Sequence, residues 1–337
     1  MSESLIKLKQ VNTWFPNEKP ILGKSISWIK AVSDVSFNII QGECLGLVGE
    51  SGCGKSTLGR AILRLEPLSS GEIQFMGHDI GKLSAKGLKP YRAKMQMVFQ
   101  DPKASLNPKM TIFKILSEAL YLNSRVAKRN YLEQSVKLLD LVDLRPEHIY
   151  RYPHEFSGGQ QQRICIARAL ATDSRFIVFD EATSALDVSV QAQVINLMKD
   201  LQDKLNLTYL FISHDLSIME HVCNRVAVMY AGQIIEIQDA GSLFGSPRHP
   251  YTQALKNAVP IADPESRKDL GILKGEVPKL SDPPSGCHFH PRCDYKQDIC
   301  SKKSPIVCKT GETSWVRCHR HEQLWKQGVL RNSKESL

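Results

Sequence analysis

Gly49-Glu50-Ser51-Gly52-Cys53-Gly54-Lys55-Ser56 fits the pattern G-x-x-x-x-G-K-[ST], the signature of a phosphate-binding loop. Its flanks supply the context that the pattern needs. The apolar run 44–48 upstream reads as a short buried strand, and 57–65 downstream reads as the opening of a helix. Glycines let the backbone curl so that successive amides point inward at phosphate oxygens. The helix start adds its partial positive charge. Lys55 can reach the outer phosphates and Ser56 can ligate Mg²⁺. Gly49, Glu50, Ser51, Gly52, Cys53, Gly54, Lys55, Ser56 and Thr57 are therefore the first candidates for contact with a nucleotide.

The chain has 337 residues, which suggests about two domains. Hydrophobic residues make up 42% and charged residues 23%, enough for a real core. The formal charge of +9 is compatible with nucleic acid, anionic lipid or simply a basic surface, and decides among none of them. Met1-Ser2-Glu3-Ser4 is polar and acidic, unlike a signal peptide. No apolar stretch approaches the roughly 18 residues that a membrane span needs. The expectation is a chain in a nucleotide-containing compartment that meets a membrane only through partners.

Residues 5–11 read as a first strand. Val35, Phe37 and Ile39 alternate with polar neighbours as a half-buried strand, and Ile73 and Phe75 repeat the pattern. Residues 95–99 are a further strand candidate. Trp14 or Phe15 offers a face for an adenine ring, with core packing an equal alternative. After Gln100, Pro102 and Pro108 are expected to stop regular structure. Helical spacing then returns over 111–122 and 131–141, so about 101–156 reads as a helical insert.

Ser157 makes a good N-cap for a helix running to about Ala171. Gly158 and Gly159 in its first turn bare orphan amides, at a cost that an ordinary capped helix leaves unexplained. That is a second anion site. Phe176-Ile177-Val178-Phe179 is continuously apolar, as a central parallel strand should be, and it ends in Asp180-Glu181. Carboxylates at such an edge sit where ligands bind. Asp180 is suited to hold Mg²⁺, and Glu181 to orient and deprotonate an attacking water. The strand 210–213 ends likewise in His214, a candidate hydrogen-bond partner for a terminal phosphate. Alternation of strands and helices indicates an α/β core with helices on both faces.

In their order, over residues 1 to about 250, these motifs resemble those of ATP-binding-cassette (ABC) transporter ATPases. The 49–56 loop matches the Walker A motif, and Phe179-Asp180-Glu181 ends the Walker B strand. Ser157-Gly158-Gly159-Gln160 matches the signature motif, with Phe156 where the family usually has Leu. Gln100 matches the Q-loop, 184–187 the D-loop and His214 the switch histidine. Ala182 stands where Pro is usual. The resemblance implies a P-loop NTPase core with an antiparallel β subdomain and a helical insert over 1–258. A small C-terminal cysteine-containing domain follows over 259–337. It further implies ATP as the nucleotide, with Phe15 stacking on adenine, and Mg²⁺ on Ser56, Gln100 and Asp180. Lys55, Gln100, Glu181 and His214 are the implied catalytic residues. Ser157, Gly158, Gly159 and Gln160 would reach the nucleotide of an opposing subunit.

A finer resemblance is to the F-type ATPase of dipeptide and oligopeptide importers. It rests on Gln96-Met97-Val98-Phe99-Gln100-Asp101-Pro102, Ser105-Leu106-Asn107-Pro108 and Pro247-Arg248-His249-Pro250-Tyr251-Thr252. Gly275-Glu276-Val277-Pro278 and Cys287-His288-Phe289-His290-Pro291-Arg292-Cys293 extend it into the tail. It implies a subunit whose ATP hydrolysis powers peptide import at the cytoplasmic face of the inner membrane. Its implied partners are a second ABC ATPase of D type, two transmembrane permeases and an extracytoplasmic substrate-binding protein. Nickel, glycan and antimicrobial-peptide importers share these motifs. A soluble ABC ATPase acting on nucleic acid is the alternative from another class. A single cassette with no basic–aromatic stripe argues against it, so no nucleic-acid partner is expected.

Of nine cysteines, Cys287, Cys293, Cys300, Cys308 and Cys318 crowd the tail. Their spacing is not that of common zinc sites. Four thiolates can hold zinc or a [4Fe–4S] cluster, and His288, His290, His319 and His321 keep zinc open. Reduced structural thiols are the third possibility. The importer resemblance implies Cys287, Cys293, Cys300 and Cys318 as iron–sulfur ligands, with Cys308 spare. A metal staple would help a Pro-rich tail to fold.

Overall fold

The computed structural model describes residues 3–17, 27–123, 126–258 and 275–326. In chain order its strands are β1 (Ser4–Pro16), β2 (Trp28–Ile40), β3 (Cys44–Val48), β4 (Ser70–Phe75), β5 (His78–Asp79) and β6 (Met95–Val98). They continue as β7 (Phe176–Asp180), β8 (Thr208–Ile212), β9 (Arg225–Tyr230), β10 (Gln233–Asp239), β11 (Cys308–Lys309) and β12 (Trp315–Val316). The chain divides into two compact units. One comprises Met1–Ile6, Asn38–Cys44 and Gln74–Ile212, and the other Lys7–Phe37, Leu45–Ile73 and Ser213–Leu337.

In the first unit β6, β7 and β8 run parallel, with Met97 beside Val178 and Val178 beside Leu210. Every residue of β7 and β8 is buried, so an unbroken apolar run gives the strand that its pattern predicts. Phe179 meets the edge of Tyr209 at 5.0 Å between ring centroids. Helices form where spacing over 111–122 and 131–141 predicts them. Thr111 caps the helix Ile112–Tyr121 by accepting from Lys114 N at 3.4 Å. Ile112, Ile115, Leu116 and Leu120 make its buried face, at the three- and four-residue spacing of an amphipathic helix. The helices Tyr131–Leu141 and Gly158–Leu170 pack with it. Pro102 does not break structure. It opens the short helix Pro102–Ser105, capped by Asp101, because a proline at a first helical position gives up no hydrogen bond. The helix Ala85–Arg92, capped by Ser84, has no counterpart in the sequence reading.

In the second unit β3 lies parallel to β9, with Leu45 beside Arg225 and Val48 beside Val228. A hairpin at Ala231-Gly232 returns the chain as β10, antiparallel to β9. The tail then comes back: β12 pairs with β10, Glu236 beside Val316, and β11 pairs with β12. Segments of β1, β2 and β4 in this unit are tied by side chains, among them Gln10 N to Ser36 Oγ at 2.8 Å and Lys9 to Glu72 at 3.2 Å. Among the described residues no helix is long and apolar enough to cross a membrane.

Candidate active site

In the second unit, fully buried β3 delivers the chain to Gly49. A Cβ at Gly49 would lie 2.2 Å from the carbonyl oxygen of Met229. One at Gly54, where φ is +108°, would lie 2.1 Å from that of Ala31. Backbone on both sides excludes any side chain there, which is why the tight loop needs glycine at these positions. Cys53 is packing within it: burial pushes its thiol up, and its carbonyl accepts from Gly232 N at 2.9 Å. Lys55 opens the helix Lys55–Ile62, whose start has no side-chain cap. Its ammonium is buried and donates to the carbonyls of Gly49 at 2.8 Å and Glu50 at 3.1 Å. Uncapped amides around a buried lysine suit a polyphosphate. Ser56 and Thr57 are half-buried behind it, and Ser51 and Gly52 are exposed. His214, exposed, follows Ser213, whose amide donates to Leu47 on β3 at 3.3 Å. Trp14 is engaged in packing, its indole N–H donating to Ser33 Oγ at 3.3 Å and its ring 5.5 Å from the Lys30 ammonium. Phe15 beside it is half-buried.

In the first unit β7 ends at buried Asp180, and Glu181 follows in the left-handed region at φ +50°. Few non-glycine residues adopt that conformation, so the carboxylate is aimed by a held backbone. Its N–H donates to Ile212 O at 3.0 Å, and its carbonyl accepts from Ser184 Oγ at 2.9 Å. Gln100 Nε2 donates to the same Ser184 Oγ at 3.3 Å, which gathers Gln100, Glu181 and Ser184 at one strand edge. Ser157 is exposed at the start of Gly158–Leu170. Its Oγ accepts from Gln160 N at 3.4 Å while Gln160 Oε1 accepts from Ser157 N at 3.1 Å, a reciprocal capping box. A Cβ on buried Gly159 would meet Val190 Cγ1 at 2.3 Å. Close helix packing is thus a second reason for that glycine, invisible in the sequence. A Cβ on Gly158 would make only an ordinary contact, 3.6 Å from Leu186.

A family profile described as ABC transporter matches residues 32–184, and one described as the oligopeptide/dipeptide transporter C-terminal region matches 235–300. The oligopeptide transport ATP-binding protein AppF of Bacillus subtilis is 47% identical over 320 residues, 94% of this chain and 97% of that one. The chain belongs to the ATP-binding subunits of peptide-import ABC transporters. A putative peptide import ATP-binding protein of Brucella ovis is 51% identical over 292 residues, 87% of this chain and 92% of its own. Among solved structures, cbiO1 of Clostridium perfringens superposes with a TM-score of 0.62 at 25% identity over 72% of this chain and 91% of its own. The ATP-binding cassette MJ0796, a dimer bound to ADP and Pi, gives 0.60 at 26% identity over 70% and 98%. The architecture is accordingly that of an ABC ATPase, a P-loop core with helical and β subdomains.

In this ABC ATPase the tail cysteines correct the sequence reading. Neither the iron–sulfur cluster expected on Cys287, Cys293, Cys300 and Cys318 nor the zinc alternative is supported. Among the described residues no group of three or more His, Cys, Asp or Glu side chains is arranged to hold a metal ion. The four thiols instead line a cavity of about 20 Å³ with Phe289, Tyr295 and Leu324. Burial pushes the thiols of Cys287 to about 11 and Cys318 to about 12, and raises that of Cys293. His288, His290, His319 and His321 each place a ring nitrogen within 2.8–3.1 Å of a backbone carbonyl. Cys287, Cys293, Cys300 and Cys318 form no disulfide with one another.

Proposed function

We propose that this subunit of a peptide-import ABC ATPase holds half of each ATP site, and that two such subunits meeting head to tail complete both. The 49–57 loop grips the phosphates of one ATP, with Lys55 turning from the loop carbonyls to the outer phosphates. Phe15 stacks on the adenine. Ser56 and Asp180, with Gln100, would hold Mg²⁺, which would supply charge neutralisation at the terminal phosphates. Glu181 orients the attacking water and takes its proton, and His214 bonds the γ-phosphate. Gly158, Gly159, Gln160 and the Ser157 hydroxyl contribute amides and helix dipole to the partner's γ-phosphate, where charge develops. Hydrolysis removes that charge and lets the pair open.

The observation that carries this reading is the exposed, reciprocally capped start at Ser157, in a chain that also carries a glycine loop with a buried lysine at 49–57. The partner ATPase is a D-type relative. Gln100 and the helical insert pass the change to two permeases, to which an extracytoplasmic binding protein delivers peptide. No peptide touches this chain, which sits peripherally on the cytoplasmic face of the inner membrane. Residues 259–337 form a small C-terminal domain on a cassette of 1–258. Most of the boundary, 259–274, lies outside the described residues. Replacing Ser157 by Arg tests the arrangement. ATP binding to the isolated subunit persists, while hydrolysis by the reconstituted transporter falls on the order of a hundredfold. Full turnover in that variant would refute it.

A further inference from the structure

We propose that Arg292 is a positioning residue for ATP binding, holding Glu50 so that the carboxylate this chain carries inside its own phosphate loop neither repels the nucleotide nor captures Lys55. The inference rests on the reading of 49–57 as the nucleotide site. Glu50 is the first variable residue of that loop. A carboxylate there opposes a polyphosphate and stands five residues from the lysine that should bind it. The structure shows how both hazards are met. Arg292 approaches Glu50 as a fork, Nη1 to Oε2 at 2.7 Å and Nη2 to Oε1 at 3.1 Å. Such a planar bidentate pair uses both carboxylate oxygens and fixes their direction. The guanidinium side chain is 5% exposed and Glu50 25%, so water screens the pair little. Arg292 is itself steadied by Tyr230, whose hydroxyl oxygen lies 3.4 Å from Nη1.

The backbone of Glu50 is fixed from the same side. Its amide donates to Tyr251 Oη at 3.0 Å, and Tyr251 is fully buried against Tyr230 and Phe289. Its carbonyl accepts from Lys55. Glu50 is thus a node between Lys55 and a segment 242 residues further along the chain. With the carboxylate occupied by Arg292, the Lys55 ammonium rests on two neutral carbonyls, which a phosphate can displace. Without Arg292, the Glu50 carboxylate becomes an anionic competitor for that ammonium.

The test is a charge cycle on the full-length chain, reading the Kd for MgATP by calorimetry. Arg292→Met weakens binding about tenfold, the scale expected for exposing one partner of a shielded pair. Arg292→Lys keeps the charge but not the fork, so its Kd falls between those of the unaltered chain and Arg292→Met. The double variant Arg292→Met/Glu50→Gln removes both charges and binds at least about threefold more tightly than Arg292→Met alone. If Arg292 only packed the tail, the double variant would bind as weakly as Arg292→Met, and the proposal fails. It fails equally if Arg292→Met binds like the unaltered chain. Should Arg292→Met not fold, the double variant decides: near-normal affinity supports the pairing and lost affinity overturns it. An unaltered chain that bound no MgATP would instead remove the nucleotide site itself.

Discussion

The phosphate loop at 49–57 and the helix start at 157–160 are both made of backbone amides at the head of a helix, yet they are held in opposite ways. The loop is braced at Lys55, Cys53 and Glu50: Lys55 lies inside it, Gly232 ties Cys53, and Tyr251 and Arg292 fix Glu50. The helix start is exposed at Ser157 and bonded only within itself through Gln160 among the bonds described there. A half-site that grips its ligand first can be rigid before that ligand arrives. In the proposed arrangement, a surface that closes on another subunit's ligand must stay open, so its polar groups satisfy one another until that ligand comes. On the proposed reading, the same amide chemistry would serve the loop as a binding site and the helix start as a closing contact.

The largest effect expected is at the loop. Lys55→Ala should reduce ATP turnover by a hundredfold or more, on the order seen when a transition-state charge partner is lost. Steady-state hydrolysis measures it, and activity within about threefold of normal would place the loop's function elsewhere. At the helix start the effect of glycine is on packing. Gly159→Ala forces a methyl against Val190 and should cost about 1–3 kcal/mol, read as a lower midpoint in thermal or denaturant unfolding. An unchanged midpoint would mean that the two helices yield freely.

The smallest effect concerns the brace behind the loop. His249 is fully buried, and burial lowers its pKa from 6.5 to about 3. The folded chain therefore holds it neutral, and its contribution is full above the ordinary value and is lost as pH falls from 6.5 towards 3. Buried Glu236 accepts from Thr252 and the His249 amide, and its raised pKa has the opposite sign, favouring the folded state as pH falls. His249→Gln isolates the histidine. Its unfolding midpoint should fall less steeply between pH 6.5 and 4.5 than that of the unaltered chain. Parallel curves would assign the acid loss to other groups.

Much of this was legible from local pattern. The loop, the buried strand before it, the helix after it and the helix capped by Ser157 follow from glycine placement, apolar runs and cap chemistry acting over a few residues. What escaped depends on separation along the chain. Nothing near Glu50 announces Arg292, and nothing near Gly159 announces Val190. The return of β12 to β10 is likewise a two-residue pairing too short to show a period. Pro102 misled because a proline can start a helix as well as stop one. The tail cysteines misled differently: Cys287, Cys293, Cys300 and Cys318 do line one cavity, but among the described residues no three such side chains are arranged to hold a metal ion, a distinction that residue spacing does not carry.

The central claim is that each helix start completes its partner's site. A structure of the assembled transporter carrying Glu181→Gln and trapped with MgATP tests it most directly. The account predicts the Ser157 hydroxyl and the Gly159 amide within hydrogen-bond reach, roughly 3 Å, of the γ-phosphate held by the opposing subunit's loop. A closed, ATP-filled complex in which both lie far from every γ-phosphate would contradict it.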